Sequence, residues 1–193
     1  MKYLSILVFL LALISCRSQP TSSTRKHSTV QDTQQGEDEF QAFLEGKTVK
    51  YLGKPIGNIK VTTTDGVSYE LDKMKGKIIL LSFWFKQCKP CMVEIPSLNE
   101  LHAKYKEKGV VVLAASTDNE ATVRAIMADK KIKYPTVANA RAIADQLEVT
   151  VYPTNILIDQ QGIIRKIYTG GSAFDATQTY LEIKPDIEVL LKK

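Results

Sequence analysis

Ile78-Ile79-Leu80-Leu81-Ser82-Phe83-Trp84-Phe85-Lys86-Gln87-Cys88-Lys89-Pro90-Cys91 is the stretch that decides the reading of this chain. Its first eight residues form a nearly unbroken apolar run of strand length, as expected for a central strand covered on both faces. Two cysteines three positions apart follow at once, where the chain should turn into a helix. A sulfur at a helix start meets the positive end of the helix dipole, which favours the thiolate. The thiolate attacks a disulfide, and the second thiol resolves the mixed disulfide that results. Lys86 and Lys89 add positive charge beside Cys88, and Pro90 stiffens the loop between the sulfurs.

Two plainer readings of the pair fit less well. An inert structural disulfide across so short a loop removes little unfolded-state entropy. A zinc site needs about four ligands, and besides the two thiols the chain offers only His27 and His102. No metal and no cofactor is therefore expected, and His102 reads as a helix residue rather than a catalyst.

Working outward, Val93, Leu98, Leu101 and Tyr105 mark a helix running to about Lys108. Val110–Ala115 reads as a second buried strand. Glu120–Asp129 and Ala140–Leu147 read as helices, with a short strand near Thr136-Val137. Asn155–Asp159 and Ile163–Tyr168 flank Gln160-Gln161-Gly162 as a hairpin. Upstream, β-formers on both sides of Asp65-Gly66 make another hairpin between Val61 and Leu71. Ala173–Leu191 should hold a closing helix that Pro185 ends or kinks. Strands alternating with helices predict an α/β fold with a mixed central sheet flanked by helices.

The full chain has 193 residues, 44% of them apolar and 24% charged, which is ordinary globular composition. That suits one domain of roughly 150 residues with appendages. The net charge of +5 is mild and the lysines alternate with acids, so nucleic acid is not an expected partner.

The N-terminus has the look of an address. Met1-Lys2-Tyr3 precedes an apolar stretch, Leu4 to Ile14, far shorter than the roughly 20 residues of a spanning helix and suited to a secretory leader. Leu13-Ile14-Ser15-Cys16 resembles the bacterial lipobox, so 1–15 reads as a lipoprotein signal peptide and Cys16 as the lipidated residue. Cys88 and Cys91 then remain as an isolated pair. Residues 16–38 are polar, charge-balanced and aperiodic, a tether that cannot form a core and would reach roughly 25–30 Å as a flexible coil. The folded domain is expected over 39–193.

Phe83-Trp84-Phe85-Lys86-Gln87-Cys88-Lys89-Pro90-Cys91, followed by Glu94-Ile95-Pro96, resembles the active-site stretch of thioredoxin-like proteins, in particular the membrane-anchored TlpA/ResA type. Val151-Tyr152-Pro153-Thr154 is similar to that family's cis-proline loop, and Leu71–Lys77 to its lead-in. The resemblance spans about Val61 to Leu191. It implies a thioredoxin-like fold with an N-terminal β-hairpin extension. The 35 positions from Asp118 to Pro153 leave room for an inserted strand–helix unit before the cis-proline loop. It further implies a thiol–disulfide oxidoreductase with Cys88 and Cys91 catalytic and Lys89 modulating. Glu94 would assist proton transfer from Cys91 and help to shape the substrate groove, or serve only as a first-turn carboxylate that favours the helix dipole. Tyr152, Pro153, Trp84 and Pro90 would meet substrate, although Trp84 reads first as core packing.

Where thioredoxins bury an Asp in the central strand, this chain has Ser82. The implied partners are disulfide-containing exported proteins and a membrane thiol/disulfide electron donor, with the protein a lipid-anchored monomer facing the periplasm. Arg17 after the lipidated Cys leans toward the outer membrane. Reduction is the implied direction. A thiol peroxidase of peroxiredoxin type is the alternative, but it needs Thr three residues before the nucleophile, where Phe85 stands. A thioredoxin-fold module that binds clients without turnover is the third reading.

Overall fold

The apolar run at 78–84 is the middle strand of a five-stranded sheet, and the rest of the domain is arranged around it. The computed structural model describes residues 47–193. The expected leader, Cys16, the expected tether with His27, and the stretch 39–46 lie outside the described residues. In chain order come a 3₁₀ turn Lys47–Tyr51, β1 (Lys60–Thr62), β2 (Ser68–Glu70), β3 (Ile78–Trp84), α1 (Lys89–Tyr105), β4 (Val110–Ser116) and α2 (Glu120–Asp129). Then follow β5 (Thr136–Val137), α3 (Arg141–Gln146), β6 (Thr154–Ile158), β7 (Ile164–Thr169) and α4 (Gln178–Leu190). The sheet order is β5-β4-β3-β6-β7. β3 pairs parallel with β4 and antiparallel with β6, so the sheet is mixed.

All seven residues of β3 are buried, and their alternation divides the interior in two. Ile79, Leu81 and Phe83 point to a core shared with Val61, Leu71, Ala144, Leu147 and Ile156. Ile78, Leu80 and Trp84 point the other way, to a core built with Leu98, Leu101 and Tyr105 of α1 and Ile183 and Ile187 of α4. Cys88 and Cys91 belong to this second core.

The N-terminal hairpin forms as the sequence predicts, with Thr62 opposite Ser68 across a five-residue loop rather than a two-residue turn. The Gly66 N–H closes that loop onto the Thr63 carbonyl, and its φ of +88° is one that Gly adopts freely. The Thr64 N–H donates to the Thr136 carbonyl of β5 at 2.8 Å. On the opposite side of the sheet, the Gly53 N–H donates to the Ile164 carbonyl and the Ile164 N–H to the Lys54 carbonyl. β5 and α3 supply the inserted strand–helix unit ahead of the cis-proline loop.

The closing helix departs from expectation. It begins at Gln178, not near Ala173, and continues through Pro185 to Leu190. Residues 172–177 stay out of the helix because short polar side chains capture their backbone. The Ser172 Oγ accepts from the N–H groups of Phe174 and Asp175, and Asp175 Oδ1 from that of Thr177. Pro185 is tolerated because it and Leu181, whose carbonyl loses its helical donor, both lie on the exposed side.

Candidate active site

β3 ends at Trp84, and four residues later Cys88 caps α1. Cys88 has extended backbone angles, and its sulfur accepts the N–H of Cys91 at 3.2 Å. That N–H is one of the first-turn donors an α-helix cannot satisfy internally. Pro90 sits within the same first turn, where a missing N–H costs no helical bond. The two sulfurs are joined as a disulfide with Cα atoms 5.3 Å apart. Cys88 keeps 6% of its surface exposed and Cys91 only 1%. Of the pair, Cys88 is the one an external sulfur can approach.

The turn into the pair is held by Asp118, which follows β4. Its Oδ2 accepts the Lys86 N–H at 2.6 Å and the Ser116 hydroxyl at 3.2 Å. Lys86 and Lys89 are exposed on either side of Cys88. The Lys89 ammonium lies 4.7 Å from the centre of the Phe174 ring.

The Tyr152–Pro153 peptide is cis. β6 starts just beyond it at Thr154, so the backbone of Tyr152 lies outside the strand ladder. The Tyr152 ring packs edge-on against Phe85 with centroids 5.2 Å apart. Gly171 fits beside the cis-proline loop, where an added Cβ would come within 3.2 Å of Pro153 Cγ and 3.7 Å of Pro90 Cβ. The cysteine loop, the cis-proline loop and the segment after β7 therefore converge. Gly171→Ala is expected to cost about 1 kcal/mol through overpacking, checked by urea denaturation.

Glu94 lies one turn beyond Cys91 on α1 and is 3% exposed. Its Oε2 accepts from Asn155 Nδ2 at 3.0 Å and Thr179 Oγ1 at 3.1 Å, and Oε1 from Ser82 Oγ at 3.4 Å. Burial pushes its pKa up to about 7, against the lowering effect of those three donors. Ser82 faces Asn155 across the β3–β6 ladder. The strand position that lacks an acid thus receives a carboxylate from the helix. Tyr134 is buried nearby, its hydroxyl pKa raised first by burial and then by the Glu94 charge.

Not every expected residue lines an open surface. Trp84 is 3% exposed, so its ring supports the cysteine loop from within and offers no face to substrate. Glu94 is likewise too deeply set to shape a groove. His102 is half-buried, its Nδ1 without a partner, and burial lowers its pKa. Among the described residues, no three His, Cys, Asp or Glu side chains are grouped to hold a metal ion. Asp118, Asn155, Gly171, Phe174 and Thr179 are site neighbours that sequence reasoning does not single out. Only Asn155, a polar residue inside an apolar strand, carries a signal.

Similarity to known proteins agrees with this geometry. The AhpC/TSA family description matches residues 52–167. The thiol-disulfide oxidoreductase ResA of Bacillus cereus is 34% identical over 145 residues, covering 74% of this chain and 84% of that protein. The thioredoxin-like protein YneN of Bacillus subtilis is 30% identical, covering 77% and 87%. The thioredoxin domain of a thiol-disulfide oxidoreductase from Bacteroides vulgatus shares the fold, with a TM-score of 0.60 at 24% identity, over 70% of this chain and 97% of that one. The chain belongs to the AhpC/TSA family, within its ResA-type thioredoxin-like thiol–disulfide oxidoreductases.

Proposed function

We propose that this oxidoreductase reduces disulfides of exported proteins, with Cys88 as nucleophile and Cys91 as resolving thiol. The observation that carries the reading is the Cys88 sulfur at the start of α1, accepting the Cys91 N–H and more exposed than its partner. In the reduced protein the same N–H and the helix dipole favour a Cys88 thiolate. That thiolate attacks one sulfur of a client disulfide. A Cys88–client disulfide forms, and the other client sulfur leaves as a thiolate.

Cys91 then loses its proton and attacks the Cys88 sulfur. The protein disulfide closes, and the second client sulfur leaves and is protonated. Two electrons pass from the protein dithiol to the client, and a membrane dithiol donor restores them. Glu94, with its pKa near neutrality, is the base for Cys91. The backbone of Tyr152, with Pro153 and Pro90, lines the approach to Cys88, and Lys89 tunes its charge. Anchoring through a lipid on Cys16, a tether over 16–38 and a domain over 39–193 would present this site to the periplasm, with the outer membrane favoured.

The peroxidase alternative lacks its hydroxyl. The position three before Cys88 is Phe85, packed on Tyr152. The test is insulin-disulfide reduction alongside peroxide consumption, both with dithiothreitol as electron source. Accelerated insulin reduction without peroxide turnover is expected. Peroxide turnover, or insulin reduction no faster than the reagent alone, overturns the reading.

A further inference from the structure

The segment between β7 and α4 is tied to the site at both ends. The Gly170 N–H donates to the Pro153 carbonyl at 2.8 Å, and the Ser97 hydroxyl of α1 donates to the Ala176 carbonyl. Between these ties, Ser172 Oγ accepts the N–H groups of Phe174 at 3.1 Å and Asp175 at 2.8 Å. Asp175 Oδ1 accepts both the N–H and the hydroxyl of Thr177. A loop bonded in this way fixes where its middle residue points.

That residue is Phe174, and it is 90% exposed. Among the described residues the next most exposed large apolar side chain is Leu181, at 63%. A lone exposed apolar side chain is ordinary on a protein surface. Phe174 differs in its neighbours. The ammonium of Lys89, the residue directly after Cys88, stands 4.7 Å from the ring centre. Three positions earlier, Gly171 lies against Pro153 and Pro90. An aromatic ring is therefore held in water next to the loop that carries Cys88. Lys89 takes up one neighbour position, as a cation over an aromatic ring, and the remainder of the ring is open.

We infer that Phe174 is a specificity-determining residue for the client. It receives an apolar side chain of an extended polypeptide segment, a few residues from the cysteine being reduced. The occupant is extended because Tyr152, next to the Pro153 against which Gly171 packs, has a backbone outside the strand ladder that an extended segment can follow. It must be apolar because covering the ring releases hydration water and gains dispersion contacts. The site is continuous with the redox pair, so one bound segment spans both. This inference rests on the oxidoreductase reading.

The test uses single turnovers of the reduced protein with three disulfides. One is oxidised glutathione. The others are two short peptides whose single cysteine is joined to glutathione, identical except for Leu or Ser two positions from the cysteine. Each reaction oxidises the protein dithiol and releases the substrate's two thiols, and the rate of thiol release is read. The wild-type protein should favour the Leu peptide by about tenfold, the scale of one buried apolar contact. Phe174→Ser should remove that preference by slowing the Leu peptide alone, with oxidised glutathione unchanged, and Phe174→Leu should restore most of it.

A Leu preference that survives in Phe174→Ser overturns the inference. So does an equal loss on all three substrates, which would place the effect on Lys89 or on the loop. A wild-type protein that reduces none of the three overturns the oxidoreductase reading itself.

Discussion

Cys88→Ser abolishes client reduction, on the order of a thousandfold or more, whereas Cys91→Ser accumulates a mixed disulfide with the client. The asymmetry follows from position. Cys88 is 6% exposed and its sulfur receives the Cys91 N–H, while Cys91 is 1% exposed and faces the core. Removing the outer sulfur leaves no nucleophile that an incoming disulfide can meet. Removing the inner one leaves the first attack intact and the second impossible. The fold should survive either change, because closing so short a loop is worth about 2 kcal/mol or less. Non-reducing mass spectrometry after incubation with insulin reads the outcome. A covalent adduct on Cys88→Ser and none on Cys91→Ser would reverse the assigned roles.

Glu94→Gln should change both stability and the pH dependence of turnover. Burial raises the Glu94 pKa from 4.5 to about 7 in the folded protein, above its unfolded value. Below about pH 4.5 the carboxyl is neutral in both states and imposes no ionisation cost on folding. As pH rises toward 7 the unfolded chain ionises first, and stability is lost progressively. Above pH 7 the full cost is present, on the order of 3 kcal/mol. The Gln variant carries no such cost, so its stability relative to wild type should climb across this window in denaturant titrations.

In turnover, resolution by Cys91 should accelerate through pH 7 in the wild-type protein as Glu94 ionises, and the variant should lose that inflection. Stopped-flow measurement of mixed-disulfide resolution from pH 5 to 9 checks this. An unchanged profile would reduce Glu94 to a structural partner of Ser82, Asn155 and Thr179.

Much of this site is local in sequence, and that is why it can be read there. The run at 78–84, the paired cysteines, the hairpins and the Tyr152-Pro153 loop each declare themselves within a few residues. The burial of Glu94 does not. Its partners Asn155 and Thr179 stand 61 and 85 positions away and meet it only once β6 and α4 pack. The start of α4 escapes sequence reading for a different reason. Ala173–Thr177 has a composition compatible with helix, but Ser172 and Asp175 bind the backbone first. Phe174 thereby becomes a surface residue rather than part of a helical face, which its sequence context does not reveal.

The hydrogen bonds at residues 53–54 and 64 bear on strand pairing between copies. An open sheet ends in two rims of unpaired amides and carbonyls, each able to recruit a strand from another molecule. Here Gly53 and Lys54 engage β7 at Ile164 and Thr64 engages β5 at Thr136, so one stretch of chain caps each rim at one residue. A strand from another copy could not pair at those two positions.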